Sequence, residues 1–246
     1  MNRKFNLLLL LLIGTLFCGL MVVSADDDDD KGKPKVTVKS GIRGVTDNDS
    51  VIRAGEYESL TTGVDAGFTI EHAMKDAYYS AFMEFIDGDD LMAMFKGDFN
   101  RIVRVEGSFN KFVHRLDHDP LSNLFAVKTP KVTRATDFDP GREYGITYSE
   151  TKMGATFQHP DAPELVFDVN YREQIRTGHK QTRTLSHCAN CHVVGYSTFI
   201  DQMTRDISAS ASFNGRDFSL SAEIEAREFQ ENGPTPMHQY MDVLHP

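Results

Sequence analysis

The stretch RDISASASFNGRDFSLSAEIEAR, residues 205–227, decides the fold class. Its centre holds Asn214-Gly215, a pair favoured in tight β-turns. Apolar side chains alternate with polar ones on both sides of that turn: Ile207, Ala209, Ala211 and Phe213 before it, and Phe218, Leu220, Ala222, Ile224 and Ala226 after it. A period of two on either side of a tight turn predicts an antiparallel β-hairpin.

The same alternation recurs over most of the chain. Further candidate strands are residues 35–45, 57–70, 76–86, 103–110, 142–157 and 167–172. No amphipathic helical pattern of useful length competes with them. We therefore predict an all-β, antiparallel fold of roughly nine to ten strands.

The connections between these strands are unequal in length. Residues 87–90, 160–164 and 214–217 predict short turns, whereas 111–141 and 177–201 predict long loops. Long strands joined alternately by short turns and long loops are typical of outer-membrane β-barrels, whose apolar face meets lipid and whose polar face lines a lumen. A soluble two-sheet β-sandwich produces the same alternation and stays open as the alternative.

The segment QENGPTPMHQYMDVLHP (230–246) contains proline and shows no alternation. Open sheet edges are not tolerated in lipid. We therefore expect residues 35–246 to form a partial barrel, the N-terminal fragment of a longer one. A sheet that closes in another way is the alternative.

The N-terminus has the features of a secretory signal peptide at residues 1–25. Arg3 and Lys4 precede an apolar run over 7–23, and small residues follow at the cleavage position. An uncleaved anchor helix is the alternative. Residues 26–34 form an acidic leader that we expect to be solvated. The net charge of −10 gives no attraction for nucleic acid.

Residues 188–192 read CANCH, and they carry the strongest chemical signal in the chain. Cys-x-x-Cys-His is the attachment signature of c-type haem: two thiols bond the porphyrin, and the histidine is the proximal iron ligand. Cys18 leaves with the signal peptide, so Cys188 and Cys191 are the only cysteines of the expected mature chain. We predict one covalent haem c bound by Cys188, Cys191 and His192.

Two other interpretations of this segment stay open. The cysteines could form a disulfide or redox pair, although no βαβ pattern surrounds them. Zinc could bind them with His187 and His192, although four ligands within six residues suit a tetrahedron poorly.

The second axial ligand of the iron is less defined by the sequence. Histidine and methionine are the usual choices, and the candidates are His179, Met203 and His238. A second cluster, VHRLDHDP (113–120), could hold a metal, or it could be a solvated loop. No nucleophile–base arrangement, phosphate loop or paired-carboxylate spacing indicates an enzyme.

Three parts of the chain resemble the outer-membrane β-barrels of bacterial porin–cytochrome conduits, the decahaem-associated proteins of the Mtr/Pio type. They are residues 41–60, the strand pair 142–157 and 164–174, and the segments 178–193 and 204–213. The resemblance implies a barrel that surrounds a multihaem c-type cytochrome and lets electrons cross the outer membrane.

The expected function is therefore electron transfer at or across the outer membrane by a haem-carrying barrel protein, with a multihaem cytochrome and outer-membrane lipid as partners. A soluble periplasmic monohaem cytochrome is the first alternative. A passive porin whose Cys188 and Cys191 form a loop disulfide is the second. Haem staining of membrane and soluble fractions distinguishes the membrane protein from the soluble cytochrome. An absorbance spectrum distinguishes a haem protein from the passive porin, which would lack the reduced α-band.

Overall fold

The computed structural model describes residues 33–45, 55–57, 62–121, 134–185 and 192–235. These residues contain ten β-strands and no helix long and apolar enough to span a membrane. The strands are β1 (Lys35–Arg43), β2 (Gly63–Ala73), β3 (Ala77–Asp87), β4 (Asp90–Phe99), β5 (Val103–Leu116), β6 (Arg134–Asp137), β7 (Tyr144–His159), β8 (Ala162–Leu185), β9 (His192–Asn214) and β10 (Ser219–Glu231).

All ten strands belong to one open sheet. Nine follow the order β1-β2-β3-β4-β5-β7-β8-β9-β10, and each pairs antiparallel with its neighbours. This confirms the predicted all-β, antiparallel class and the strand number. Among the described residues, no ladder joins the two terminal strands, β1 and β10.

Two strands were not expected from the sequence. In β4, Met92 and Met94 put apolar side chains on the same face as Lys96 and Asp98, which hides the alternation. The short β6 pairs parallel with the start of β9, so it departs from the antiparallel rule. It lies inside a region for which the sequence predicted only a loop.

The two predicted long loops are shorter than expected. β5 continues to Leu116, and β6 interrupts the segment that was predicted to be a loop at 111–141. The predicted loop at 177–201 is mostly strand, because β8 continues to Leu185 and β9 begins at His192. Only residues 186–191 connect these two strands.

The sheet has one apolar and one polar face, because side chains alternate along each strand and paired residues point to the same side. One ladder row of the apolar face contains Ile70, Ala81, Phe95, Met153 and Ile207. A neighbouring row of the polar face contains Ser80, Lys96, Glu106, Gly154, Asn170 and Ser208.

The two ends of the sheet differ in their connections. One end, called here the short-turn end, has the connections 74–76, 100–102, 160–161 and 215–218. The other end, called the long-connection end, has 44–62, 88–89, 117–143 and 186–191. The predicted haem signature therefore falls at the long-connection end.

Candidate functional site

The candidate site is the connection between the two longest strands. β8 and β9 have 24 and 23 residues, and their ladder runs from Leu165↔Phe213 to Leu185↔Val193. Cys188 and Cys191 lie between these strands but outside the described residues. The backbone of His192 begins β9 and lies opposite Arg134 of β6.

A continuous band of apolar side chains crosses the apolar face below this connection. Most strands contribute four or five successive outward positions, for example Leu165, Phe167, Val169 and Tyr171 on β8, and Leu220, Ala222, Ile224 and Ala226 on β10. Several of these side chains are open to the surroundings, with Val169 55% and Ile224 72% exposed. We call this surface the apolar band.

The position of the apolar band shifts from strand to strand. A row of paired residues that crosses the whole sheet joins Val36 on β1 to Ala226 on β10. Measured from this row, the centre of the apolar band on β1 lies about six residues closer to the long-connection end than its centre on β10. This displacement is roughly 20 Å. Eight strand spacings separate β1 from β10, or about 38 Å. The strands are therefore inclined by roughly 30° to the normal of the band, close to the tilt found in β-barrels.

Three charged side chains end the apolar band on β8, β9 and β10. They are Glu173, Arg205 and Glu228, called here the polar rim. Arg205 Nε donates to Glu173 Oε2 at 2.7 Å, and the Tyr171 hydroxyl donates to the same oxygen at 3.1 Å. Glu173 is only 4% exposed, so these two partners compensate the burial of its charge.

The β8–β9 hairpin continues far beyond the polar rim. Twelve residues separate Glu173 from Leu185, which corresponds to about 40 Å along the strand. β7 supports only part of this distance, because its last pair with β8 is Gly145↔His179. The remaining pairs, Lys180↔Thr198 to Leu185↔Val193, form the segment that we call the extension.

Residues 117–121 hold the extension from the β8 side. Asp119 N donates to Gln181 Oε1 at 3.0 Å, and Gln181 Nε2 donates to Asp119 O at 2.8 Å. Arg183 Nη1 forms an ion pair of 2.7 Å with Asp119 Oδ2. Three contacts thus fix one residue of the long connection to two successive outward positions of β8.

Residues 134–139 hold the extension from the β9 side. β6 pairs with His192–Gly195, and Phe138 N donates to Gly195 O at 2.9 Å. Asp139 Oδ2 accepts from Ser197 N at 2.6 Å. His118 Nε2 contacts Asp137 Oδ2 and so links the two parts of the connection. The first residues of β9 are therefore paired on both edges, with β8 on one side and β6 on the other.

Most of the deeply buried side chains among the described residues lie near this end of the sheet. Leu121 is 2% exposed, and Tyr144, Ile146 and Val194 are 5% exposed. Their burial supplies roughly 2 kcal/mol of hydrophobic stabilisation per aliphatic side chain. The extension is therefore a packed element rather than an isolated ribbon.

The polar face carries a shallow groove of about 450 Å³ below the extension. Its lining includes Lys96, Glu106 and Asn170. Arg172 crosses it and bonds Glu150 at 2.6 Å and Asp206 at 3.2 Å. Arg227 bonds the same Asp206 at 2.6 Å. The charges in this part of the groove are thus paired across four neighbouring strands.

His179 was predicted as a candidate distal ligand, and its position does not fit that role. It pairs with Phe199, which lies seven residues along β9 from His192, a separation of about 23 Å. The imidazoles of His179 and His192 are therefore too far apart to bind the same iron from opposite sides. Its Nε2 is also occupied, because Arg142 Nη2 donates to it at 2.6 Å.

The environment of His179 favours the neutral imidazole. Burial lowers its pKa, and the adjacent Arg142 guanidinium lowers it further, whereas Asp139 acts in the opposite direction. The ring therefore accepts the hydrogen bond from Arg142 and packs against Phe199 at a centroid distance of 5.0 Å.

This lowered pKa predicts that the protein loses stability in mild acid. Below the ordinary histidine pKa of 6.5, the unfolded chain takes up a proton that the folded chain does not, so stability falls as the pH decreases through that range. The urea midpoint of unfolding, followed by circular dichroism at pH 8 and pH 5, measures this loss. His179→Gln, which keeps an acceptor for Arg142, should reduce the difference between the two pH values. His159→Gln, at the short-turn end, is the control and should retain it.

Of the other two candidate ligands, Met203 lies among the described residues and His238 does not. Met203 lies eleven residues along β9 from His192, about 36 Å away, and pairs with Ile175. It cannot reach an iron bound by His192. His238 lies outside the described residues.

The cluster at 113–120 does not form a metal site. His114 lies in β5, bonds Glu56 at 2.6 Å and stacks on Tyr57 at 4.5 Å, whereas His118 faces Asp137 and Tyr144. In the part of the chain that the structure describes, no three His, Cys, Asp or Glu side chains are grouped as metal ligands. The residues that sequence reasoning missed here are Asp137 and Asp139, whose partners become visible only once β6 pairs with β9.

Comparisons with protein-family models, with curated proteins and with solved structures give no match to this chain.

Proposed function

We propose that this protein is an outer-membrane β-barrel protein that binds one haem c through Cys188, Cys191 and His192 and takes part in electron transfer with a multihaem c-type cytochrome. One observation carries the proposal. The Cys-x-x-Cys-His segment joins the two strands that continue about 40 Å along their length beyond the polar rim. We propose no enzymatic activity and no nucleic-acid partner.

The apolar band supports the membrane part of the proposal. A strand that crosses a bilayer needs nine to eleven tilted residues, which present four or five side chains to lipid. The strands of this sheet present that number on one face, while the opposite face carries paired charges. A soluble protein rarely leaves so large a contiguous apolar surface exposed.

The donor set supports the haem part of the proposal. Two thiols and an imidazole in the spacing of the attachment signature suit a porphyrin better than a tetrahedral metal. A bound haem supplies one-electron chemistry. His192 would be the proximal ligand, and the pairing of β9 with both β8 and β6 fixes the backbone from which its side chain starts.

The height of the extension determines what the protein could contribute to electron transfer. A haem at its tip would lie outside the hydrocarbon region, which is about 30 Å thick. A multihaem partner would therefore carry electrons across the membrane, and this chain would supply one haem at one membrane surface. The resemblance to barrels of porin–cytochrome conduits agrees with that division of roles.

Mass spectrometry of the intact mature chain tests the haem assignment. Protein made in cells competent for cytochrome maturation should carry the added mass of one haem and show a reduced α-band. Cys188→Ser with Cys191→Ser should lose both signals completely, because the thioether bonds cannot form. Met203→Leu and His179→Gln should keep the added mass, because the structure places both side chains far from His192. A mature wild-type chain without added haem mass would refute electron transfer by this site.

A passive pore is the second candidate function, and the groove on the polar face favours it. The groove lies on the face opposite the apolar band and is lined by both acidic and basic residues. In that case Cys188 and Cys191 would form a disulfide. Conductance in planar bilayers by a chain without haem would support this function.

A further inference from the structure

Among the described residues, β1 and β10 each have one edge that pairs with no other strand. We propose that this edge of β10 pairs with the corresponding edge of β1 from a second copy of the same chain, so that two copies close one barrel. The inference uses only the membrane part of the proposed function and does not depend on haem. It explains how both open edges of the sheet could be satisfied at the same time.

Both edges are long and accessible. All residues of β1 except Arg43 are exposed, and all residues of β10 except Gln230 are exposed. Each edge presents a row of backbone donors and acceptors, which a membrane protein cannot leave in lipid. The two edges therefore need partners of similar length, and β1 and β10 have nine and thirteen residues.

The direction of the strands determines how the edges can meet. Nine strands alternate in direction along the antiparallel path, so β1 and β10 run the same way, from the short-turn end to the long-connection end. Two copies with the same orientation in a membrane can therefore join β10 to β1 only in parallel. Parallel pairing is slightly less stable per residue than antiparallel pairing but forms regular ladders.

The side chains of the two edges match when their apolar bands are aligned. In that register Leu220 lies opposite Val36, and Ala222 lies opposite Val38, on the apolar face. On the polar face Ser221 lies opposite Thr37, and Glu223 lies opposite Lys39. Neither Glu223 nor Lys39 forms an ion pair with another described residue, so each is available to the other.

The net charges of the two edges are also opposite. β1 carries Lys35, Lys39 and Arg43 and no acidic residue. β10 carries four glutamates and one arginine. Opposite charges across a ladder stabilise pairing, whereas like charges destabilise it. Two β10 edges would repel each other, so the complementary contact joins β10 of one copy to β1 of the next.

The size of the resulting barrel favours a second copy over closure of a single chain. A barrel of about eight strands has an interior just wide enough for side chains, whereas sixteen to eighteen strands leave an aqueous channel. Two copies of a nine-stranded path give a barrel in the larger class. Only that class leaves an aqueous channel through the lumen.

Disulfide cross-linking in outer membranes tests the seam. Thr37→Cys and Ser221→Cys are combined in a full-length chain in which Cys18, Cys188 and Cys191 are serine, so no other thiol is present. Facing positions on neighbouring strands lie within the Cα separation that a disulfide requires. Mild oxidation should give a band at the mass of two copies on a non-reducing gel, and reduction should remove it.

The control keeps the cysteine at Thr37 and moves the other to Glu225, four residues out of register. That displacement is about 13 Å, so we expect about tenfold less cross-linked product than for Thr37 with Ser221. Each single variant should remain at the mass of one copy, because the seam joins two different edges.

Three outcomes would overturn the seam. A product with the mass of one copy and an internal disulfide would mean that each chain closes on itself. Equal cross-linking in the control would indicate contact without register, and no cross-linking would mean that the edges do not meet. Because the tested chain cannot bind haem covalently, none of these outcomes bears on the Cys188–His192 site.

Discussion

Val169→Arg is expected to prevent most of the protein from reaching a stable folded state in the outer membrane. Val169 is near the centre of the apolar band on β8 and is 55% exposed. If that surface meets lipid, an arginine there costs about 2–4 kcal/mol near the bilayer midplane. The total stability of a folded domain is only about 5–15 kcal/mol, so this is a large fraction of it.

Asn170→Arg is the matched control for this experiment. Asn170 is the next residue on the same strand, is also exposed, and lines the groove on the polar face. The same side chain is thus added at nearly the same height but on the opposite side of the sheet. The fraction of folded protein in isolated outer membranes should fall for Val169→Arg and remain near the wild-type value for Asn170→Arg.

A different pattern would change the assignment. Equal folding of both variants, with the protein recovered in the soluble periplasmic fraction, would mean that the apolar band does not contact lipid. The haem signature would then belong to a soluble cytochrome. The experiment therefore separates the membrane part of the proposal from the haem part.

The sequence predicted the fold well where one face of a strand is apolar and the other polar. The hairpin at 205–227 corresponds to the lower half of β9 and to β10, with the predicted turn at Asn214-Gly215. β4 was missed because Met92 and Met94 place apolar side chains on its otherwise polar face. Apolar and polar residues alternate along a strand only where its two faces lie in different environments, and the pattern disappears where both faces lie in similar ones.

The extension was missed for the opposite reason. Residues 177–185 contain mainly Thr, Arg, Lys and Gln, so both faces of this strand are polar. Outside the apolar band neither face needs to be apolar, and polar contacts such as Thr182–Thr198 at 2.7 Å stabilise the pairing instead. Asp119 and Asp139 supply further contacts, and their distance along the chain from β8 and β9 hides them from local sequence patterns.

The candidate ligands show what residue type alone can predict. Cys188, Cys191 and His192 form a local signature, so their chemistry can be read without a structure. His179 and Met203 were candidates because of their chemistry, and the strand register places both too far from His192. The identity of a second ligand depends on distances in the folded protein, and these cannot be predicted from the spacing of residues along this chain.

Gly178→Ala is expected to lower the free energy of unfolding by about 2–4 kcal/mol, through backbone strain and overpacking together. Gly178 has a φ of 152°, which side-chain-bearing residues rarely adopt. A Cβ atom there would lie 2.1 Å from the carbonyl oxygen of Gly145 and 2.9 Å from the Cα of Ile146. Both contacts are with backbone of the neighbouring strand, so no side-chain rotation relieves them.

Gly178 lies where β8 leaves the support of β7 and enters the extension, so its substitution should loosen the extension first. Gly141→Ala is the control, because a Cβ there would meet no atom within 4 Å. Urea unfolding measures the global loss, and limited proteolysis after Lys180 and Arg183 measures local opening. If Gly178→Ala and Gly141→Ala unfold at the same urea concentration and resist protease equally, the close contact between β7 and β8 does not support the extension. Because the substitution leaves residues 188–192 unchanged, retention of the haem mass in Gly178→Ala would separate this structural effect from the attachment chemistry.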